Sequence, residues 1–221
     1  MLKAEEYIQT LTEYLKTEYK ERLVYIGLQG SYLRGEATEN SDIDIMVVIR
    51  DITVADLEAY RNIILRLPDY DKSCGFICGK EELLNWNSLE ICHLLHTTKD
   101  YYGTLSELVP EYSEFDVRAF VKLSLGNLYH ELCHRYIHTS KENNISCLPF
   151  TYKSVFFILQ NIHYLESGNF IATKQELLKV LCGTDKSVLD TAMSISDGSE
   201  LNFDEVFSLL FTWCKEKLKE A

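Results

Sequence analysis

Two aspartates two residues apart, Asp42 and Asp44, follow a Gly30-Ser31 pair after ten intervening residues, and these four are the side chains and backbone best placed for chemistry. Successive side chains of a strand alternate sides, so both carboxylates of an Asp-x-Asp opening a strand project to one face. Crowded acids repel one another unless a cation sits between them. Hard oxygen ligands at a strand edge suit Mg²⁺, which keeps several waters and takes its remaining ligands from substrate phosphates. Gly30 permits a tight turn and a close approach to the backbone. The amides opening the helical turn after it, with the Ser31 hydroxyl, can donate to phosphate oxygens. One strand end supplies anion binding and the next supplies metal binding, a layout suited to a nucleoside triphosphate and its metals.

Strands must carry these residues. Residues 23–28 are apolar and run into Gly30-Ser31, Thr38-Glu39-Asn40-Ser41 forms a polar turn, and residues 45–49 are the unbroken apolar run of a strand buried on both faces. Ahead of them, Tyr7, Ile8, Leu11, Tyr14 and Leu15 recur at helical spacing within residues 3–19, and Val54, Leu57, Tyr60, Ile63 and Ile64 predict a second helix ended by Pro68. Residues 71–79 read as a third core strand and 80–86 as a short helix, whereas 90–97 fits an edge strand or a helix. Cys74 and Cys78 fall on one face of that third strand but too far apart to share a metal, and are expected as buried thiols.

Pro110 and the polar run Glu111-Tyr112-Ser113-Glu114 mark a boundary. Beyond it the period is helical over residues 117–137, 152–165, 174–181, 188–195 and 203–218, with breaks expected at Asn143-Asn144, Ser167-Gly168, Gly183 and Asp197-Gly198. The expected class is α+β: a small mixed sheet with helices over residues 1–110, then an α-helical bundle over 111–221.

Composition narrows the partners. With 221 residues, 46% hydrophobic and 25% charged, the chain can bury a proper core in one or two domains. A formal charge of −12 disfavours a protein that tracks a nucleic-acid backbone and would instead attract a cationic small molecule. Seven cysteines without a CxxC pair, and an amino terminus lacking an apolar signal core, predict a cytoplasmic protein, and no apolar run is long enough to span a membrane.

Gly30-Ser31, ten residues, then Asp42-Ile43-Asp44 resembles the signature of the DNA polymerase β-like nucleotidyltransferase superfamily. The Gly-Ser-Tyr-Leu-Arg-Gly-Glu-Ala run before Ser-Asp-Ile-Asp is similar to its small bacterial members, the aminoglycoside and lincosamide nucleotidyltransferases and the minimal nucleotidyltransferases. The resemblance implies transfer of a nucleoside monophosphate, AMP from ATP, to a hydroxyl of a small-molecule acceptor such as an aminoglycoside-like antibiotic. Pyrophosphate would leave, and two Mg²⁺ ions would be held by Asp42, Asp44 and a third carboxylate. Asp71 is the only acid in reach for that third role, since the strand interior after it offers Ser73, Cys74 and Gly75. Gly30 and Ser31 would hold the phosphates with Arg34 assisting. Lys174, after the Gly168 turn, would reach back to the triphosphate from the helical domain, where the preceding helix shows Gln160 and Asn161 in place of the family's arginine. Lys99-Asp100-Tyr101-Tyr102-Gly103 resembles the stretch that closes the first domain, and Asp71, Glu90 and Asp100 are the acids to examine as general base.

Two other classes of function remain on the sequence. One is a catalytically weak or inactive nucleotide-binding module resembling an antitoxin. The other is a zinc hydrolase, because His130-Glu131-Leu132-Cys133-His134 is a literal HExxH with His138 a further turn along. No third ligand or Gly-containing continuation accompanies that motif, so a solvated or core-satisfied helix face is its favoured reading.

Overall fold

A computed structural model describes residues 3–196 and 202–220, in two compact units, 1–112 and 113–221. The first unit opens with α1 (Ala4–Tyr19), whose Ile8, Leu11 and Leu15 are fully buried while Tyr14 stays exposed. Strand β1 (Leu23–Gln29) leads into the five-residue helix α2 (Gly30–Arg34), and β2 (Ile43–Ile49) returns antiparallel to it. Helix α3 (Val54–Ile64) then crosses over to β3 (Ser73–Gly79), which pairs parallel with β2. Helices α4 (Lys80–Leu84) and α5 (Ser88–His96) precede β4 (Lys99–Tyr102), antiparallel to β1. The sheet is mixed, in the order β3-β2-β1-β4.

Alternation sorts the strands into two cores. Ile26, Leu28, Ile43, Ile45, Val47 and Ile49 pack with α1, with Ile63 of α3 and with Leu67 beyond it. Tyr25, Met46, Val48 and Cys78 face the other way, onto Leu83, Leu105 and Leu108. Both faces of β2 are therefore covered, as its continuous apolar run requires. Val54 and Leu57 contribute little to α3's buried face. Asp56 is buried in their stead, as part of a capping box with Thr53 and an ion pair with Arg22.

The second unit is helical: α6 (Glu114–His138), α7 (Lys141–Ser167), α8 (Lys174–Val180), α9 (Gly183–Ser196) and α10 (Phe203–Glu220). They enclose a core built on Leu125, Tyr152, Val155, Leu159, Leu189, Leu210 and Trp213. One expectation needs correction. The chain does not break at Asn143-Asn144, which lie in the first turn of α7. The buried Asn144 side chain instead donates to the Arg135, Thr139 and Ser140 carbonyls, closing the carboxyl end of α6. The break expected at Gly183 falls just before it, between α8 and α9, with Gly183 itself beginning α9. Of the two readings left open for residues 90–97, the helical one holds. Gly168 does end α7, in the left-handed conformation, whereas Asp197-Gly198 lie outside the described residues. No helix among the described residues is long and apolar enough to cross a membrane.

Candidate active site

The site forms where β1 ends and β2 begins. Gly30 opens α2 with φ +69°, a left-handed conformation that glycine adopts without strain. Its Cα lies against the carboxylate of Asp44, so close that a Cβ there would collide with Oδ2. The leading amides of any helix lack intrahelical acceptors, and those of α2 are set beside an acid on the neighbouring strand. Ser31 follows, half-buried. Asp44 is half-buried on β2, and Asp42 is exposed immediately ahead of the strand.

The connection between them is tied down along its length. Gly35 ends α2, and the Glu36 amide donates to the Ser31 carbonyl at 2.9 Å. Arg34 Nε pairs with Glu36 Oε2 at 2.8 Å, with the Arg34 side chain only 14% exposed. The same guanidinium faces α5, where burial first and the Arg34 charge second push His93 down to about 4. Arg34 is thus partly buried, and its guanidinium braces the loop through Glu36. Ser41 Oγ accepts from the Thr38 amide, and Lys72 Nζ donates to the Glu39 carbonyl at 2.8 Å, holding the turn that delivers Asp42.

Register decides what else faces the acids. Gln29 pairs with Asp44 across β1 and β2, and Asp44 pairs with Cys74 across β2 and β3, so the three side chains share one sheet face. Gln29 Nε2 donates to Thr98 Oγ1 at 2.8 Å. Cys74 is exposed rather than buried, and only Cys78 of the pair is a core thiol. The Cys74 thiol is hydrogen-bonded to Asp44, and burial, the charge of Asp44 and that of Asp42 all raise it. Gly75 holds β3 tight against β2 at this level: its φ is +139°, and a Cβ would strike the Ile45 backbone.

Asp71 is not with the pair. It stands exposed in a 3-10 turn, Tyr70–Lys72, before the ladder begins at Ile43 and Ser73. Among the described residues no three His, Cys, Asp or Glu side chains gather into a group that could hold a metal ion. The remaining donor set, two carboxylates beside a backbone cradle that a Cβ would fill, still suits a divalent cation that takes its other ligands from nucleotide phosphates. The other acids considered as general base are engaged: Asp100 Oδ1 accepts from the buried Tyr25 hydroxyl and Glu90 Oε2 from Trp86 Nε1.

In the helical unit, Lys174 opens α8 with its ammonium 5.9 Å from the Phe156 ring centroid. Gln160, fully buried, donates through Nε2 to the Ile171 and Ala172 carbonyls and so fixes the segment leading to that helix. His130, His134 and His138 line an exposed face of α6 with adjacent rings 5.9 and 4.8 Å apart. Glu131 is paired with Arg135 at 2.9 Å and accepts from Thr151 on α7. These contacts make Glu131 a packing residue, and the zinc reading gains no support. Gln29 and Cys74 are the site residues that the motif alone does not indicate, because only strand register reveals them.

Residues 8–84, which hold Gly30, Ser31, Asp42, Asp44 and Cys74, match the family model described as a nucleotidyltransferase domain. A 73-residue stretch is 42% identical to the protein adenylyltransferase MntA of Thermococcus cleftensis, covering 30% of this chain and 73% of that protein. The chain belongs to the nucleotidyltransferase family. A second nucleotidyltransferase relative, the putative protein adenylyltransferase MJ0604 of Methanocaldococcus jannaschii, is 48% identical over 44 residues, 20% of this chain and 44% of the relative. The nucleotidyltransferase likeness extends through the helical unit at the level of fold. The crystal structure of spectinomycin adenyltransferase AAD(9) from Enterococcus faecialis, with ATP and spectinomycin, superposes with a TM-score of 0.61, 17% identity and coverage of 98% of this chain and 100% of that one.

Proposed function

We propose that this nucleotidyltransferase transfers AMP from ATP to a hydroxyl of a small-molecule acceptor. The observation that carries the reading is the Asp44 carboxylate set against the Gly30 backbone, with Asp42 two residues away, inside the segment that matches the family. Gly30 and Ser31 would receive the β- and γ-phosphates on backbone amides and the hydroxyl. Asp42 and Asp44 would hold Mg²⁺, which when bound neutralises developing charge on the phosphate oxygens and favours in-line displacement. The acceptor oxygen bonds to the α-phosphorus, the bond to pyrophosphate breaks, and the hydroxyl proton departs to water. Arg34 serves by bracing the α2 loop through Glu36, and Lys174 would add a positive charge toward the triphosphate. Asp71 has no place in this metal set.

The acceptor class rests on two supports. The helical unit follows the fold of an enzyme solved with spectinomycin, and a net charge of −12 favours a cationic acceptor. The sequence relatives, named as protein adenylyltransferases, favour a protein hydroxyl instead. Seven free thiols agree with a cytoplasmic setting. A nucleotide-binding module with little turnover is the second reading, supported by the thiol that faces Asp44 where a further carboxylate is expected. Incubation with α-labelled ATP, Mg²⁺ and either a panel of aminoglycosides, spectinomycin and lincosamides or a cell extract separates these. Label on a small molecule supports the proposal, label on protein moves the acceptor class, and tight ATP binding without transfer supports the module.

A further inference from the structure

A groove of about 490 Å³ runs between α6 and α10 within the helical unit, in the size range of small-molecule sites. We propose that it is a second ligand site, which takes an organic amine with its ammonium at Asp204 and its apolar body on Phe207 and Phe211. It uses none of the residues assigned to nucleotide, metal or transfer, and so stands apart from that reading.

Two helical rows line the groove. Cys133, Tyr136 and Ile137 come from α6, and Asp204, Phe207 and Phe211 from α10, at the three- and four-residue steps that keep side chains on one helix face. The Tyr136 and Phe207 rings lie 4.9 Å apart, and Phe207 stacks on Phe211 at 6.4 Å, which makes one continuous aromatic wall. Tyr136 and Ile137 stay 60% and 71% exposed, so apolar surface is left open at the rim. Among the described residues that line the groove, Asp204 alone carries a formal charge. The chain already places an ammonium there: Lys141 Nζ lies 2.8 Å from Asp204 Oδ2 and 5.6 Å from the Phe203 ring centroid. A carboxylate beside aromatic faces favours such a group. Both partners of that ion pair are exposed, so it is weak and an incoming amine can displace it. Helical rise sets Phe207 about 5 Å and Phe211 about 10 Å beyond Asp204, which fixes the span from ammonium to ring in the ligand. An anion would meet Asp204 with repulsion, and a polycationic sugar has no apolar body to cover the rings.

The test is a ligand-observed NMR titration of the full chain with 3-phenylpropylammonium, beside the uncharged 3-phenylpropan-1-ol. Saturable amine binding with a Kd of about 1 mM or tighter is expected for a ligand of about ten non-hydrogen atoms. The alcohol should bind about tenfold more weakly, and so should the amine to Asp204→Asn, a change at an exposed position. Lys141→Met, which removes the competing ammonium, should tighten amine binding by about two- to fivefold. Alkylation of Cys133, read by peptide mass spectrometry, locates the ligand without any substitution: saturating amine should suppress it while the exposed Cys182 reacts as before. Equal binding of amine and alcohol, unchanged affinity in Asp204→Asn, no tightening in Lys141→Met, or a Cys133 alkylation rate indifferent to the amine each overturns the proposal.

Discussion

The Cα of Gly30 rests against the carboxylate of Asp44, which joins the start of α2 to β2 without an intervening side chain. The amides proposed to receive phosphate and the acid proposed to hold Mg²⁺ are therefore held by adjacent backbones rather than by flexible side chains. Gly30→Ala must displace Asp44 and also hold alanine at φ +69°. Nucleotidyl transfer is expected to fall about 100-fold or more, the consequence of misplacing reacting groups by roughly 1 Å. Stability should fall by only about 1–3 kcal/mol. Steady-state rates beside a thermal melt check both.

A pH effect follows from Asp56. Its carboxylate takes both Arg22 guanidinium nitrogens, at 2.9 and 2.6 Å, and accepts from the Thr53 amide and hydroxyl. The Arg22 hydrogen bonds foremost hold it at about 2 against burial, below the unfolded value of about 3.9. A depressed carboxylate contributes its full stability above the unfolded value and loses it as pH falls toward the folded one. Asp56→Ala should cost about 2 kcal/mol at neutral pH, through the lost cap and the stranded guanidinium. The difference from native protein should shrink between about pH 4 and pH 2, as denaturant melts across that range would record.

Asn144 predicts a fault confined to the helical unit. Its amide donates to three carbonyls at the end of α6 from a buried position. Asn144→Ala leaves those acceptors without it and should cost about 2 kcal/mol. Mg²⁺-ATP affinity at Gly30 and Asp44 should be unchanged at temperatures where the protein stays folded. Calorimetry paired with a melt distinguishes this from a general loss of structure.

Legibility in the sequence tracks how local each signal is. The apolar runs that became β1 and β2, the Gly30-Ser31 turn and the Asp42-x-Asp44 pair are all stretches whose meaning lies in neighbouring residues. What faces Asp44 depended on β3, a strand paired in parallel through a crossover, where a slip of one residue exchanges the two faces. Asp71 and Cys74 could not be ranked until Ser73 was seen opposite Ile43. Asn143-Asn144 misled for a related reason: asparagine disfavours helix interiors because its amide competes for backbone groups. Here that competition is put to use, with Asn144 satisfying the preceding helix from the first turn of the next. Strand β4 was hidden by its length, four residues of mixed polarity at a sheet edge.

The most direct test of the account is Mg²⁺-dependent pyrophosphate release from ATP, in the presence of acceptor, by the native protein, Asp42→Asn, Asp44→Asn and Asp71→Asn. The account predicts that either change in the pair abolishes release while Asp71→Asn, altering an exposed turn outside the ladder, retains most of it. Release that survives loss of the pair, or that vanishes with Asp71 alone, would contradict the site described at the junction of β1 and β2.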